Sequence, residues 1–148
     1  MKINKIYKLI FGEIIKPKEY QKQMKVDDEH ILITPNGYYG FVFNKKSLPF
    51  NLEMIKEATI TLDLFSVIKP ENLCKLTKCL VVDSKLGFLN ILKNGGRKIY
   101  VNSKYLGYFE SYTEFYQEKD LSLIVAVECG QIVGCIMPIR HLEGETDE

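Results

Sequence analysis

Two segments of the chain carry apolar residues at almost every position, and each is interrupted by a turn that contains glycine. The first covers residues 31–43 around Asn36-Gly37, and the second covers residues 121–140 around Gly130. Runs of β-branched and aromatic residues on both sides of such a turn predict a β-hairpin. Because both sets of alternating positions are apolar, each hairpin is predicted to be covered on both faces.

The alternation also predicts which residues share a face. In the second hairpin, pairing Cys129 with Ile132 gives one face with Val125, Val127, Ile132 and Ile136, and another with Ile124, Ala126, Val133, Cys135 and Met137. In the first hairpin, a tight Asn36-Gly37 turn places Ile31 and Ile33 on the same face as Tyr38 and Val42. Pro138 has no N–H, so central pairing is predicted to stop there.

The rest of the chain predicts shorter elements. Apolar residues at helical spacing predict an amphipathic helix over 3–15, which Pro17 ends. The others are a polar linker or exposed helix at 16–29, a helix at 52–58, a strand at 59–64, a helical turn from Pro70, a strand at 79–83, a hairpin at 87–93 and 97–102, and a helix at 103–112. The predicted class is α+β, a mostly antiparallel sheet built from hairpins with three or four short helices. We expect residues 1–140 to form a single α+β domain and residues 141–148 an acidic disordered tail.

Charge is balanced overall and divided along the chain. The net charge is +1, so whole-molecule charge argues neither for nor against nucleic acid. Residues 1–25 carry a balance of +5, and residues 110–148 a balance of −7. Such blocks indicate either two solvated surfaces or a basic face for phosphate or an acidic partner. Since no apolar run resembles a leader or a membrane span, we expect a cytoplasmic protein with reduced thiols and no membrane partner.

Cysteine and histidine are the side chains that could support metal or covalent chemistry. The four cysteines form two pairs, Cys74 with Cys79 and Cys129 with Cys135, and the predicted register turns the second pair to opposite faces. This pattern favours buried free thiols over a metal site. His30 opens a strand and cannot be placed beside a nucleophile from the sequence. We therefore expect no catalytic residue, no cofactor and no metal.

The last third of the chain, about residues 97–142, resembles the end of a bacterial DNA polymerase sliding clamp. It has the order strand, helix, strand, strand, and its final strand closes on Met137-Pro138-Ile139-Arg140. That family closes its last strand on a similar apolar-Met-Pro-apolar-Arg motif. The resemblance implies a clamp-like domain, with antiparallel sheets outside and helices on a DNA-facing side. Clamp subunits have three domains, whereas this chain has room for about one, which favours an accessory protein of a mobile element over a replication clamp.

The resemblance also implies a site. Met137, Pro138, Ile139 and Arg140 would border a groove that takes short peptides from client proteins. The alternative for the same segment is a core strand that ends with Met137 and Ile139, followed by a solvated Arg140.

These observations predict a non-enzymatic binding protein with a clamp-like domain and a role as a DNA replication accessory. It would act through a protein partner or client peptide and through weak, non-specific DNA contacts. The residues predicted to face phosphate are Lys5, Lys8, Arg97, Lys98 and Lys104. The alternative is a protein-interaction or regulatory module of unrelated antiparallel fold with no DNA role.

Overall fold

The computed structural model describes residues 1–15, 22–47 and 56–140. Its helices are α1 (Ile3–Ile15) and α2 (Ser103–Leu106). Its strands are β1 (Lys22–Lys25), β2 (His30–Thr34), β3 (Tyr39–Asn44), β4 (Lys56–Thr61), β5 (Leu73–Asp83), β6 (Gly87–Asn94), β7 (Arg97–Asn102), β8 (Glu114–Gln117), β9 (Ile124–Glu128) and β10 (Gln131–Ile136). Short 3₁₀ turns occupy Lys45–Ser47, Phe65–Val67 and Pro70–Asn72. None of the described helices is both long and apolar enough to cross a membrane.

All ten strands belong to one sheet with the order β4-β1-β2-β3-β10-β9-β8-β5-β6-β7. Only the β1–β4 pair among these neighbours is parallel, so the predicted mostly antiparallel sheet is confirmed. β10 lies between β3 and β9. An isolated bridge between Tyr100 and Ile139 also joins β7 to the chain just after β10. The sheet therefore curves back on itself, and the predicted C-terminal hairpin is central.

The main core lies on the inner face of this curved sheet. Ile6 of α1 and Phe109 after α2 are buried in it, so both helical segments pack on the same side. The strand residues in this core include Ile31, Ile33, Phe41, Phe43, Leu92, Ile99, Val101, Phe115, Ile124, Ala126 and Ile136. A second cluster on the outer face contains Leu32, Val42, Val125, Val127 and Cys135, with Leu64 and Val67 packed against them. A third, smaller cluster contains Leu89, Ile91 and Tyr100, with Ile139 against it.

The helix content is lower than predicted, so the chain is mostly β. Within the described residues, α1 agrees with the predicted helix at 3–15, but α2 is a single turn of four residues. Asn102 caps α2, because its side chain accepts a hydrogen bond from Lys104 N. Residues 56–58, predicted as the end of a helix, belong to strand β4, and the rest of that prediction lies outside the described residues. Residues 22–25, predicted as part of a polar linker or exposed helix, form β1, because pairing with β2 and β4 outweighs their polar sequence. The predicted tail at 141–148 also lies outside the described residues.

The predicted register of the C-terminal hairpin is wrong. Cys129 and Gly130 form a two-residue turn with φ values of 51° and 76°, and Glu128 pairs with Gln131. A bulge at Val133 then shifts the pairing, so that Cys135 faces the outer cluster and Ile136 the inner core. The two predicted faces are therefore exchanged at these positions.

The first hairpin has a longer loop than predicted. Ile31 pairs with Phe43 and Ile33 with Phe41, so these four residues share the inner face. The Thr34 hydroxyl closes the loop by donating to Tyr39 O at 2.7 Å and accepting from Gly37 N at 2.8 Å. This side-chain bond replaces the tight Asn-Gly turn.

Candidate functional site

The segment Met137–Arg140 continues from β10 and changes strand partner along its length. Met137 N donates to Tyr38 O at 2.7 Å, beside β3, and Ile139 N donates to Tyr100 O of β7 at 2.8 Å. Both N–H groups point to the same side because the residues are two apart in an extended chain. Pro138, between them, has no N–H to offer on the β9 side. The segment thus hydrogen-bonds first beside β3 and then to β7 on one side. On its other side, pairing with β9 ends.

The side chains of this segment are neither fully buried nor all solvated. Met137 is 37% exposed, Pro138 and Ile139 are half-buried, and Arg140 is exposed. Cys135, Met137 and Ile139 share the outer side of the sheet, since they are spaced by two. Of the predicted groove residues, Met137 and Ile139 therefore lie on the surface opposite α1.

An apolar hollow of about 280 Å³ lies on one side of the segment. Met137 lines it together with Met24, Leu32, Tyr38 and Leu123. Tyr38 is 62% exposed and Met137 forms part of the same wall, so apolar surface is open to solvent there. Methionine side chains adapt to apolar guests of different shape.

A cleft of about 510 Å³ lies on the other side of the segment. Pro138, Ile139 and Arg140 line it, and so do Arg97 and Lys98 at the start of β7. One carboxylate, that of Asp120, also borders it, so the cleft has an excess of positive charge. The structure therefore brings the predicted peptide segment and two of the predicted phosphate-facing residues into one cleft.

Arg97 is held in the wall of this cleft by Gln117, which is itself completely buried. Arg97 Nη2 donates to Gln117 O at 3.2 Å, and Gln117 Nε2 donates to Ser122 O at 2.8 Å. Arg97 Nε and Gln117 Oε1 are buried without a hydrogen-bond partner. Burial raises the pKa of the nearby Cys74 thiol, and the positive charge of Arg97 opposes that rise. The bond to Gln117 O therefore ties the guanidinium to the wall of the cleft.

Leu121 lines the same cleft with an unusual backbone conformation. Its φ is 62°, in the left-handed region that non-glycine residues rarely adopt, and its side chain is 43% exposed. The hydroxyl of Ser122 fixes the preceding turn by donating to Lys119 O at 2.7 Å and accepting from Lys119 N at 3.1 Å. Residues in such conformations are concentrated at ligand sites, because the surrounding structure must hold them there.

The other predicted phosphate-facing residues lie on the helical side. Lys5 and Lys8 are on α1 and Lys104 is on α2, and all three are exposed. Lys5 Nζ donates to Gly107 O at 3.4 Å and lies 4.7 Å from the centre of the Tyr108 ring. The predicted nucleic-acid set is thus divided between the helical side and the cleft at the start of β7.

The four cysteines differ in exposure, and His30 lies beside Asp27. Cys74 and Cys135 are buried, whereas Cys79 and Cys129 are exposed. Burial raises the pKa of Cys135 to about 12, so this thiol stays protonated at neutral pH. His30 Nδ1 lies 2.9 Å from Asp27 Oδ1. No group of three or more metal-ligating side chains occurs in the described part of the chain.

Sequence patterns alone did not reveal the residues that complete the two hollows. Tyr38, Leu123, Asp120 and Leu121 line them, because β10 pairs with β3 and β9 and Ile139 bridges to Tyr100 of β7. In the sequence, the feature that could have indicated the apolar hollow was Tyr38, which lies beside the Asn36-Gly37 turn and is exposed. No protein-family model, curated protein or solved structure matches this chain.

Proposed function

We propose that the protein is a non-enzymatic binding protein with a clamp-like domain, whose outer surface takes a short peptide from a protein partner. The observation that carries the proposal is the position of Met137–Arg140 between an apolar hollow and a positively charged cleft. A peptide with an apolar anchor and a neighbouring acidic group matches both. The anchor would fill the hollow beside Met137, and the acidic group would meet Arg140.

The arrangement of the layers supports the clamp-like part of the proposal. Both helical segments pack on the inner face of one curved antiparallel sheet, and Met137 and Ile139 of the peptide segment lie on the outer face. The chain also repeats one order of elements, since α1 precedes β1, β2 and β3, and α2 precedes β8, β9 and β10. The last strands of the two sets, β3 and β10, pair antiparallel. This relationship resembles an internal two-fold repeat. The proposed role, as a mobile-element accessory protein in DNA replication, rests on the clamp resemblance.

The experiment is a fluorescence polarisation titration with a labelled polymerase-type clamp-binding peptide. Met137→Ala should weaken binding about tenfold or more, because a few anchors dominate such interfaces. Its thermal unfolding midpoint should stay close to that of the unaltered protein. Tyr112→Ala is the matched control, since Tyr112 is 60% exposed and lines neither hollow. A protein that binds no such peptide would contradict the proposal.

A second candidate function, an interaction module with no DNA role, is favoured by the β5–β6 hairpin. Leu80, Val82 and Phe88 are 56%, 52% and 60% exposed, and Val82 lies directly opposite Phe88. A cluster of exposed apolar side chains indicates a protein contact. This candidate predicts that the protein binds no DNA at low salt, which the experiment in the next section measures.

A further inference from the structure

A row of lysines crosses three neighbouring strands at the base of the β5–β6 hairpin. Lys75 of β5 lies opposite Lys93 of β6, and Lys93 lies opposite Lys98 of β7. All three side chains are exposed. Lys93 is two residues beyond Ile91, and Lys98 is two residues before Tyr100, so the row shares the outer face with these two residues.

Like charges directly opposite each other in a sheet are unfavourable. Neighbouring strands lie about 4.8 Å apart, so the three lysines leave the backbone along a line of roughly 10 Å. Within this line, the like charges of Lys75 and Lys93 lie opposite each other. The row continues to the charged cleft, because Lys98 also lines that cleft with Arg97 and Arg140. An anion with regularly spaced charges would relieve this repulsion.

We propose that this row and the adjoining cleft bind the phosphate backbone of nucleic acid. The proposal goes beyond the proposed function, because it places nucleic acid on the outer face at Lys75, Lys93 and Lys98, whereas the clamp resemblance implies the helical side. On the helical side, Lys5 contacts Gly107 and the Tyr108 ring.

A nucleic acid fits this surface better than an acidic protein does. Protein interfaces are organised around buried apolar anchors, and lysine is depleted in them. The exposed apolar residues of the hairpin, Val82 and Phe88, lie on its other face, because the residues opposite each other on the row's face are Val81 and Leu89. The row itself offers charges without anchors, as expected for sequence-independent phosphate contacts.

The test is fluorescence anisotropy with a labelled random-sequence duplex and a labelled single strand of the same length, over a range of salt concentrations. The unaltered protein should bind at low salt and lose affinity steeply as salt rises. The double variant Lys75→Gln, Lys93→Gln should bind about tenfold more weakly, and its logarithmic salt slope should be shallower by roughly two. Which of the two probes binds more tightly identifies the form of nucleic acid.

The matched control is the double variant Lys8→Gln, Lys104→Gln, which removes the same charge from the helical side. Its affinity should stay within about twofold of the unaltered value, and its salt slope should be unchanged. The proposal is overturned if the unaltered protein binds neither probe at low salt, if the Lys75 and Lys93 variant binds unchanged, or if the control loses binding equally. The proposal is also overturned if the Lys75 and Lys93 variant loses affinity for an acidic peptide while its affinity for DNA is unchanged. The peptide titration with Met137→Ala tests the peptide proposal separately, so the peptide proposal and the nucleic-acid proposal can each fail while the other holds.

Discussion

The backbone N–H of Ile139 donates a hydrogen bond of 2.8 Å to the carbonyl oxygen of Tyr100. This bond joins β7 to the residues after β10, although the two strands are separated by four others in the sheet order. The Ile139 side chain meanwhile packs against the cluster of Leu89, Ile91 and Tyr100. The Ile139 side chain therefore packs in a cluster, whereas the Met137 side chain is 37% exposed.

The two apolar residues of the segment should accordingly differ in stability. Ile139→Ala should lower the free energy of unfolding by about 1–2 kcal/mol, roughly half the cost at a fully buried site. Met137→Ala should cost less than about 1 kcal/mol, since Met137 lines an open hollow. Urea denaturation of both variants measures the difference. A larger loss for Met137→Ala would mean that its side chain belongs to the core.

Gly134 should tolerate no side chain. A Cβ atom there would lie 2.5 Å from Gly40 O and 2.9 Å from the Phe109 ring. Gly134→Ala should therefore destabilise the protein by about 3 kcal/mol or more, because the backbone of β3 cannot move away without breaking its pairing. Gly96→Ala is the control, since no atom lies within 4 Å of its Cβ position. Thermal unfolding with equal midpoints for the two variants would contradict this account of the strand contact.

The exposure of the four thiols predicts their reactivity. Cys79 and Cys129 should react rapidly with Ellman's reagent in the native protein, and Cys74 and Cys135 only after denaturation. Cys135 should be the slowest to react, because burial holds its pKa at about 12 and its thiolate is scarce. Mass spectrometry of time points identifies the modified residues. Fast labelling of Cys135 in native protein would show that β10 opens readily.

Glu128 is a buried carboxylate beside the central turn. Its Oε2 accepts hydrogen bonds from Glu110 N at 3.0 Å and from the Thr113 hydroxyl at 2.7 Å, and Oε1 contacts the amino group of Met1. Glu128→Ala should cost about 2–3 kcal/mol, because the half-buried N–H of Glu110 and the Thr113 hydroxyl lose their acceptor. Glu114→Ala, on an exposed residue, is the control. Chemical denaturation compares the two, and equal stabilities would mean that solvent replaces the carboxylate.

The stability of the loop before β2 should depend on acid. Asp27 accepts hydrogen bonds from Glu29 N and from the His30 ring, and these lower its pKa below the ordinary value. A lowered pKa in the folded state stabilises the fold above the unfolded pKa of about 3.9, and the contribution is lost as the pH falls through the folded value. Asp27→Asn should therefore be less stable than the unaltered protein at pH 6, with the difference shrinking below about pH 4. Thermal melts of both proteins across this pH range test whether the stability difference has this sign and pH dependence.

The hairpins could be predicted from the sequence because β-branched residues and glycine turns are local signals. Their registers could not. The bulge at Val133 and the loop closed by Thr34 depend on how the strands meet in the sheet, and alternation alone does not record this. β1 was missed for a similar reason, since Lys22–Lys25 becomes a strand only through pairing with β2 and β4.

The candidate site could be predicted only in part. Residues Met137–Arg140 do line two hollows, but their companions, such as Tyr38 and Leu123, come from distant parts of the chain. Lys75 and Lys93 look like ordinary surface lysines in the sequence, and only the strand register aligns them with Lys98. The predicted set of phosphate-facing residues was therefore a mixture of two surfaces.

The position of β10 has a consequence for how the chain folds. β3 obtains its second neighbour from Gly134, Cys135 and Ile136, about ninety residues later in the sequence. During synthesis at about 5–20 residues per second, the edge of β3 stays unpaired for several seconds after β2 and β3 have emerged. Such an edge can pair with another chain. Refolding should therefore be slow for a chain of this length, and nascent chains that stop before β10 should be prone to aggregation.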